Sequence, residues 1–193
     1  IEIYSFFIGG NMKKVVLAIC SVLCLCIVPI SCVCGAEKIY AETNEELSLS
    51  AKSGVLIDYN SGEVLFENDA DTQLPIASMV KLMTLLLSFE EIENGNMDWN
   101  TVITTTENAS GMGGSQVFID PYVNYTAEQM IKSVIMASAN DASVALAEHI
   151  SGSEESFVKK MNSRAEALGM KNTLYSNCTG LPAPNQYSSA RDC

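Results

Sequence analysis

The alternation of apolar and polar positions changes period several times along this chain, and each change marks an element. Val15 to Val28 is an uncharged, apolar-rich run closed by Pro29, and Glu37 to Leu49 is acidic with weak periodicity. Ser53-Gly-Val-Leu-Ile-Asp58 and Gly62-Glu-Val-Leu-Phe-Glu67 are β-rich runs joined by Tyr59-Asn-Ser61. Asn and Gly at such a joint supply the turn, which predicts a β-hairpin. Asn68 to Pro75 is a polar connector. From Ser78 to Phe89 the apolar residues Val80, Leu82, Met83, Leu85, Leu86, Leu87 and Phe89 crowd nearly every side. That predicts a helix set in the middle of a domain, stopped near Asn94-Gly95.

Thr101 to Tyr125 mixes Thr-rich, Gly-rich and β-prone pieces, including Gly111-Met-Gly-Gly-Ser115. Thr126 with Gln129 forms a capping box that opens a helix through Met136. After a break, Ala142 to Ile150 continues as a second helix, and Ser153 caps a third that runs to Leu168. The order is hairpin, central helix, mixed loop, three helices, an α+β arrangement with one hairpin of sheet. One hairpin cannot cover so apolar a helix. Strands are missing from this reading.

Composition sharpens the division. The 193 residues carry 11 Lys+Arg against 23 Asp+Glu, a formal net charge of −12, and are 48% apolar. That length suits one domain, and the apolar share fills a core and excludes a disordered chain. An acidic balance argues against nucleic-acid partners, which call for a basic stripe. Five of the seven cysteines, Cys20, Cys24, Cys26, Cys32 and Cys34, fall in the amino-terminal apolar stretch, leaving Cys178 and Cys193. No metal-ligand spacing survives, and His149 is the only histidine.

Met12-Lys-Lys14, the apolar run and a small-residue exit are the three parts of a secretory signal peptide. Residues 12–36 are read as that signal, ending at Ala36 or alternatively at Ala41; Pro29 argues against lipoprotein processing at Cys32. A retained anchor is the alternative, since about 20 apolar residues just span a bilayer. Residues 1–11 are an upstream extension of no assigned role, 37–49 a lead-in, and 50–193 the exported domain. Cleavage after Ala36 leaves 157 residues with 9 basic and 22 acidic side chains.

Two short motifs carry candidate chemistry. In Ser78-Met-Val-Lys81 the serine and lysine lie one helical turn apart, so the amine can reach the hydroxyl. A serine is a poor nucleophile until a base takes its proton, and burial lowers a lysine pKa toward that task. A helix start also favours developing negative charge. The bland alternative is a Ser cap and a snorkelling lysine. Ser138-Ala-Asn140 falls at the break between two helices, where a hydroxyl can relay protons and an amide can hold a carbonyl. Ser and Asn are also ordinary helix-end residues. Together, 60 residues apart, the two motifs match the S-x-x-K and S-x-N elements of penicillin-interacting serine enzymes.

The likeness widens around them. Pro75-Ile-Ala-Ser-Met-Val-Lys-Leu-Met-Thr84, Gly113-Gly-Ser-Gln116, Met136-Ala-Ser-Ala-Asn-Asp-Ala142, Gly169-Met-Lys-Asn-Thr173 and Gly180-Leu-Pro182 resemble the low-molecular-mass penicillin-binding D-alanyl-D-alanine carboxypeptidases, peptidase family S11. The resemblance is collinear over about residues 50 to 193. It implies the transpeptidase fold of penicillin-binding proteins and β-lactamases, present in part as an N-terminal hairpin plus helical subdomain. It implies Ser78 as acyl-enzyme nucleophile, Lys81 as general base, Ser138 as an aid to proton transfer and Asn140 as the group orienting the substrate amide. The implied partners are peptidoglycan pentapeptide stems and β-lactams, with no metal or organic cofactor. Outside the cytoplasm, at the wall or the outer membrane face, is the implied location, with contact to a membrane surface through a C-terminal anchor. A non-catalytic penicillin-binding or muropeptide-sensing domain is the alternative, and a serine β-lactamase ranks behind it because Ala139 replaces an Asp.

Two departures qualify the match. Val80 replaces the family's usual Thr and loses a hydroxyl. No Lys-Thr-Gly follows Asn140: Cys178-Thr-Gly180 lacks the lysine and Lys171-Asn-Thr173 lacks the glycine. The expectation is a chain truncated before that strand and inactive alone. Glu166 and His149 read as surface or structural helix positions, and Glu90-Glu-Ile-Glu93 as a solvated helix end.

Overall fold

The computed structural model describes residues 49–193. The upstream extension, the signal segment and the lead-in short of Leu49 lie outside the described residues.

Strand β1 (Gly54–Ile57) pairs antiparallel with β2 (Val64–Asn68), Gly54 opposite Asn68 and Leu56 opposite Phe66. Asp58 closes the connection, its carboxylate accepting from the Ser61 N–H at 2.8 Å and the Ser61 hydroxyl at 2.7 Å. Leu56 and Ile57 are 52% and 55% exposed, so no layer of the described residues covers that end of the hairpin. A 3₁₀ turn (Ala77–Val80) leads into α1 (Lys81–Glu93).

The mixed stretch after α1 holds a second sheet that the sequence reading left out. Strand β3 (Val102–Thr104) pairs antiparallel with β4 (Asn124–Thr126), and the short α2 (Glu107–Ser110) lies between them. Three residues per strand are too few to show an alternation. Helices α3 (Ala127–Ala137), α4 (Asn140–Ser151) and α5 (Glu154–Ala167) follow at the expected places. The Thr126 hydroxyl accepts from the Gln129 backbone N–H at 3.2 Å while the Gln129 side-chain Oε1 accepts from the Thr126 backbone N–H at 2.9 Å. Ser153 caps α5 through the Ser156 N–H at 3.1 Å.

Among the described residues the central helix is α4, not the Ser78 helix. Every residue from Asn140 to Ala147 is buried, while Leu82 and Phe89 of α1 are 55% and 40% exposed. Small side chains explain the exchange: Ala142, Ser143, Ala145 and Ala147 let α1, α3 and α5 pack close on several sides. Leu87, Met130, Ile131, Leu146, Phe157 and Met161 fill the spaces between, each worth about 1.5–3 kcal/mol of transfer from water.

The acidic end of α1 is also not simply solvated. Glu90 pairs with Arg164 at 2.7 Å and Glu91 pairs with Lys160, tying α1 to α5 with carboxylates only 26% and 15% exposed. Glu166 and His149 are exposed, as read from sequence. At the carboxyl end, Leu74 and Ser188 exchange backbone hydrogen bonds at 2.8 and 3.0 Å in an isolated bridge, clamping the segment that enters the 3₁₀ turn. Arg191 reaches Glu67 at 2.6 Å and Asp71 at 2.9 Å.

Candidate active site

Ser78 stands in the 3₁₀ turn, exposed, one turn before Lys81 opens α1. In 3₁₀ geometry residues i and i+3 eclipse, which aligns the two side chains one above the other along the axis. The Lys81 Nζ donates to the Ser78 Oγ at 3.3 Å. Ala77, immediately before the serine, has φ +46, a left-handed conformation uncommon for alanine. Tertiary contact holds it there. Gly180, itself at φ +85, lies so close that a Cβ would stand 2.0 Å from the Ala77 carbonyl oxygen.

Lys81 is 4% exposed, and its amine also donates to the Thr179 carbonyl at 2.5 Å. Burial lowers the Lys81 pKa from the usual lysine value; the nearby Cys178 acts weakly in the opposite sense. That opposition needs a thiolate, and Cys178 is pushed well up by burial, then by the Glu154 carboxylate that accepts from its thiol at 3.3 Å. The thiol is therefore neutral at ordinary pH, and desolvation governs Lys81. One turn along α1, the buried Thr84 hydroxyl donates to the Cys178 carbonyl at 2.8 Å. Consecutive carbonyls of the 177–181 segment are thus gripped by consecutive turns of α1. Val80 is fully buried, so its methyl suits a site where a hydroxyl would need a partner.

Ser138 ends α3 in the left-handed conformation, φ 52 and ψ 38, and this turns the chain sharply into α4. It shares a cleft of about 420 Å³ with Ser78, Lys81, Leu82, Leu85 and Val134. Asn140 does not line that cleft. Its Nδ2 donates to the Gly113 carbonyl at 2.7 Å and its backbone N–H to the Ser115 carbonyl at 2.7 Å. The loop wraps so tightly that a Cβ on Gly114, at φ +80, would stand 2.7 Å from the amide nitrogen. Oδ1 of Asn140 has no hydrogen-bond partner among the described residues.

Sequence reading missed two contributors. The buried Asp141 carboxylate accepts from the Val117, Ile119 and Ala142 N–H groups at 3.1, 3.2 and 2.8 Å, shaping the loop beside Asn140. An acid in the first helical turn was its only signal. Asp141→Ala strands those N–H groups and is expected to cost about 2 kcal/mol. Hydrogen exchange should then speed at Val117 and Ile119 before the rest of the domain. The other contributor is Thr179, through its backbone. Lys171-Asn-Thr173 takes no part: the Thr173 hydroxyl and the Asn172 N–H both go to Asp192, at 2.8 and 2.7 Å. Cys178 and Cys193 are both free thiols.

Comparison with known proteins places this geometry. The family profile described as D-alanyl-D-alanine carboxypeptidase, peptidase S11, matches residues 40–193. The D-alanyl-D-alanine carboxypeptidase DacF of Bacillus subtilis is 49% identical over 147 residues, covering 76% of this chain and 38% of that relative. DacA of Escherichia coli K12 is 39% identical over 150 residues, covering 75% of this chain and 37% of the relative. Among solved structures, DacD from Francisella tularensis superposes with a TM-score of 0.74 at 36% identity, over 75% of this chain and 35% of that one. Penicillin binding protein 5 from Haemophilus influenzae gives 0.72 at 38% identity, over 75% and 43%. The chain thus spans under half the length of these four proteins.

Proposed function

Since this chain belongs to the D-alanyl-D-alanine carboxypeptidase family, peptidase S11, we propose that it supplies the nucleophile–base half of a serine carboxypeptidase acting on peptidoglycan pentapeptide stems. The observation that carries the reading is the buried Lys81 amine, 3.3 Å from an exposed serine hydroxyl. A neutral Lys81 takes the proton of Ser78 as Oγ attacks the carbonyl carbon of the terminal D-Ala–D-Ala bond. The C–N bond then breaks, and D-alanine leaves with a proton relayed through Ser138. Water hydrolyses the resulting ester, with Lys81 again accepting the proton. Asn140 stands outside the lining of the Ser78 cleft with its Nδ2 committed to Gly113, so its Oδ1 is the atom left to meet a substrate N–H that extends beyond the cleft. β-Lactams enter the same path, because opening their ring acylates the same serine.

Location follows the same proposal: residues 12–36 export the domain, and the chemistry runs where peptidoglycan is exposed. The test uses the full gene product. Purified protein should release D-alanine from an N-acylated Lys-D-Ala-D-Ala peptide, and fluorescent penicillin should label it at the tryptic peptide carrying Ser78. Stable label without D-alanine release would instead leave a sensing domain, and absence of both would sink the reading.

A further inference from the structure

The segment that grips Lys81 is itself held by one side chain. Asn177-Cys-Thr-Gly180 forms a turn in which the Asn177 Oδ1 accepts from the Gly180 N–H at 2.8 Å and from the Thr179 N–H and hydroxyl, both at 3.2 Å. Such a turn is what an asparagine two or three residues ahead of backbone N–H groups produces. The Asn177 Nδ2 donates to the Leu181 carbonyl at 2.8 Å, so both ends of the amide close the same loop. Gln186 supports it from behind. Its Oε1 accepts from the Ser176 and Asn177 N–H groups at 3.0 Å each, and its Nε2 reaches the Leu181 carbonyl at 3.1 Å. With the Thr179 and Gly180 N–H groups turned inward onto Asn177 and the Cys178 N–H held by Glu154, the loop presents the Cys178 and Thr179 carbonyls outward, to Thr84 and Lys81.

We infer that Asn177 is a positioning residue for proton transfer between Ser78 and Lys81, acting through the Thr179 carbonyl. A neutral amine has two N–H bonds and one lone pair. Fixing one N–H on the Thr179 oxygen limits the rotation of the amine and helps aim the lone pair at the serine 3.3 Å away. The same loop covers the amine from water. Asn177 has no hydrogen bond to Ser78 or Lys81, and its Oδ1 and Nδ2 both bond within the 177–181 turn. The inference rests on the reading of Lys81 as the base.

The groups around Lys81 allow a clean test. The titratable group facing it from the loop is Cys178, backed by Glu154 at the start of α5. The facing ends of α3 and α4 bring the uncharged Ser138 and Asn140, and Asp141 is turned away onto the 117–119 loop. Asn177→Ala leaves all of these in place and removes only the turn. Acylation by fluorescent penicillin, in the full gene product, should slow by about 10- to 100-fold with the noncovalent binding constant unchanged, the scale expected for a misplaced base. Its ascending pH limb should move to higher pH, because a wetter amine holds its proton longer.

Asn162→Ala is the control. That residue clamps the Tyr175 backbone at 2.9 Å on both sides and anchors the same segment without entering the turn. It should lower thermal stability and leave the pH limb where it is. Asn177→Ser, whose hydroxyl still caps the Thr179 N–H, should recover part of the rate even where the alanine variant folds poorly. A wild-type rate and pH limb in Asn177→Ala, or in Asn177→Ser when only that variant folds, overturns the inference. A loss matched by Asn162→Ala does so too. If Lys81→Met also acylates normally, the parent reading has failed; if Lys81→Met is dead, only the positioning role has.

Discussion

Ser78→Ala is expected to abolish covalent labelling by fluorescent penicillin and to cut D-alanine release at least about 10³-fold. The size follows from the site. Among the described residues no other hydroxyl or thiol is both exposed and against a buried amine: Ser138 is held at the end of α3 without a hydrogen bond to Lys81, and the Cys178 thiol is fully buried and kept protonated. With the Oγ gone, Lys81 still donates to Thr179, so the fold around the amine should persist and melting should be near wild type. Lys81→Met separates the two roles. Methionine fills the buried channel without a base, so acylation should fall by about 10²–10⁴-fold while the serine remains available. Label persisting at full rate in Ser78→Ala would place the nucleophile elsewhere; Lys81→Met acylating at wild-type rate would place the base elsewhere.

The pH dependence has a definite sign. The proposed mechanism needs a neutral Lys81 to accept the proton, and the Lys81 pKa is lowered by burial. Acylation should therefore rise with pH along a limb below the titration of an ordinary exposed lysine, and that limb should be absent from the residual rate of Lys81→Met.

What the sequence made legible was what depends on neighbours within four residues. The capping box at Thr126, the Ser153 cap and the hairpin around Asp58 all use partners three or four positions away, so spacing alone reveals them. The Ser78–Lys81 contact belongs to the same class, and so do the ends of α3 and α4 that place Ser138 and Asn140. Partners set by tertiary packing left no local trace. Lys81 meets Thr179 across 98 positions and Thr84 meets Cys178 across 94. In the sequence, Cys178-Thr-Gly180 was notable only for failing to be Lys-Thr-Gly; in the fold it cradles the Lys81 amine. The choice of central helix went astray for a related reason. Counting large apolar side chains favours α1, whereas closeness of packing favours the small residues of α4, and helix position follows packing. Glu90 and Glu91 read as solvated because their cations lie on α5, 74 and 69 positions away.

Gly180→Ala should be the most damaging glycine-to-alanine change among the described residues. A Cβ there meets the Ala77 carbonyl oxygen at 2.0 Å, the Ala77 carbonyl carbon at 2.4 Å and the Ser78 nitrogen at 2.8 Å, and all three are backbone atoms that cannot rotate aside. The φ of +85 adds about 1–2 kcal/mol of its own for an L residue. Relief requires the 179–181 segment to lift from the 3₁₀ turn. That withdraws the Thr179 carbonyl from Lys81 and frees Ala77 to leave its left-handed conformation, taking Ser78 with it. The expected cost exceeds about 3 kcal/mol of stability, together with a loss of acylation of at least about 100-fold in whatever fraction stays folded. Gly152→Ala and Gly169→Ala calibrate the backbone term. Both glycines have φ near that of Gly180, +79 and +76, and nothing within 4 Å of a new Cβ. Each should lose only about 1–2 kcal/mol and acylate at the wild-type rate. Thermal melting paired with penicillin acylation reads both quantities in one preparation. If Gly180→Ala melts and acylates like the two controls, the 177–181 segment does not press on the nucleophile's turn. The strained Ala77 would then owe its conformation to the Leu74–Ser188 clamp upstream.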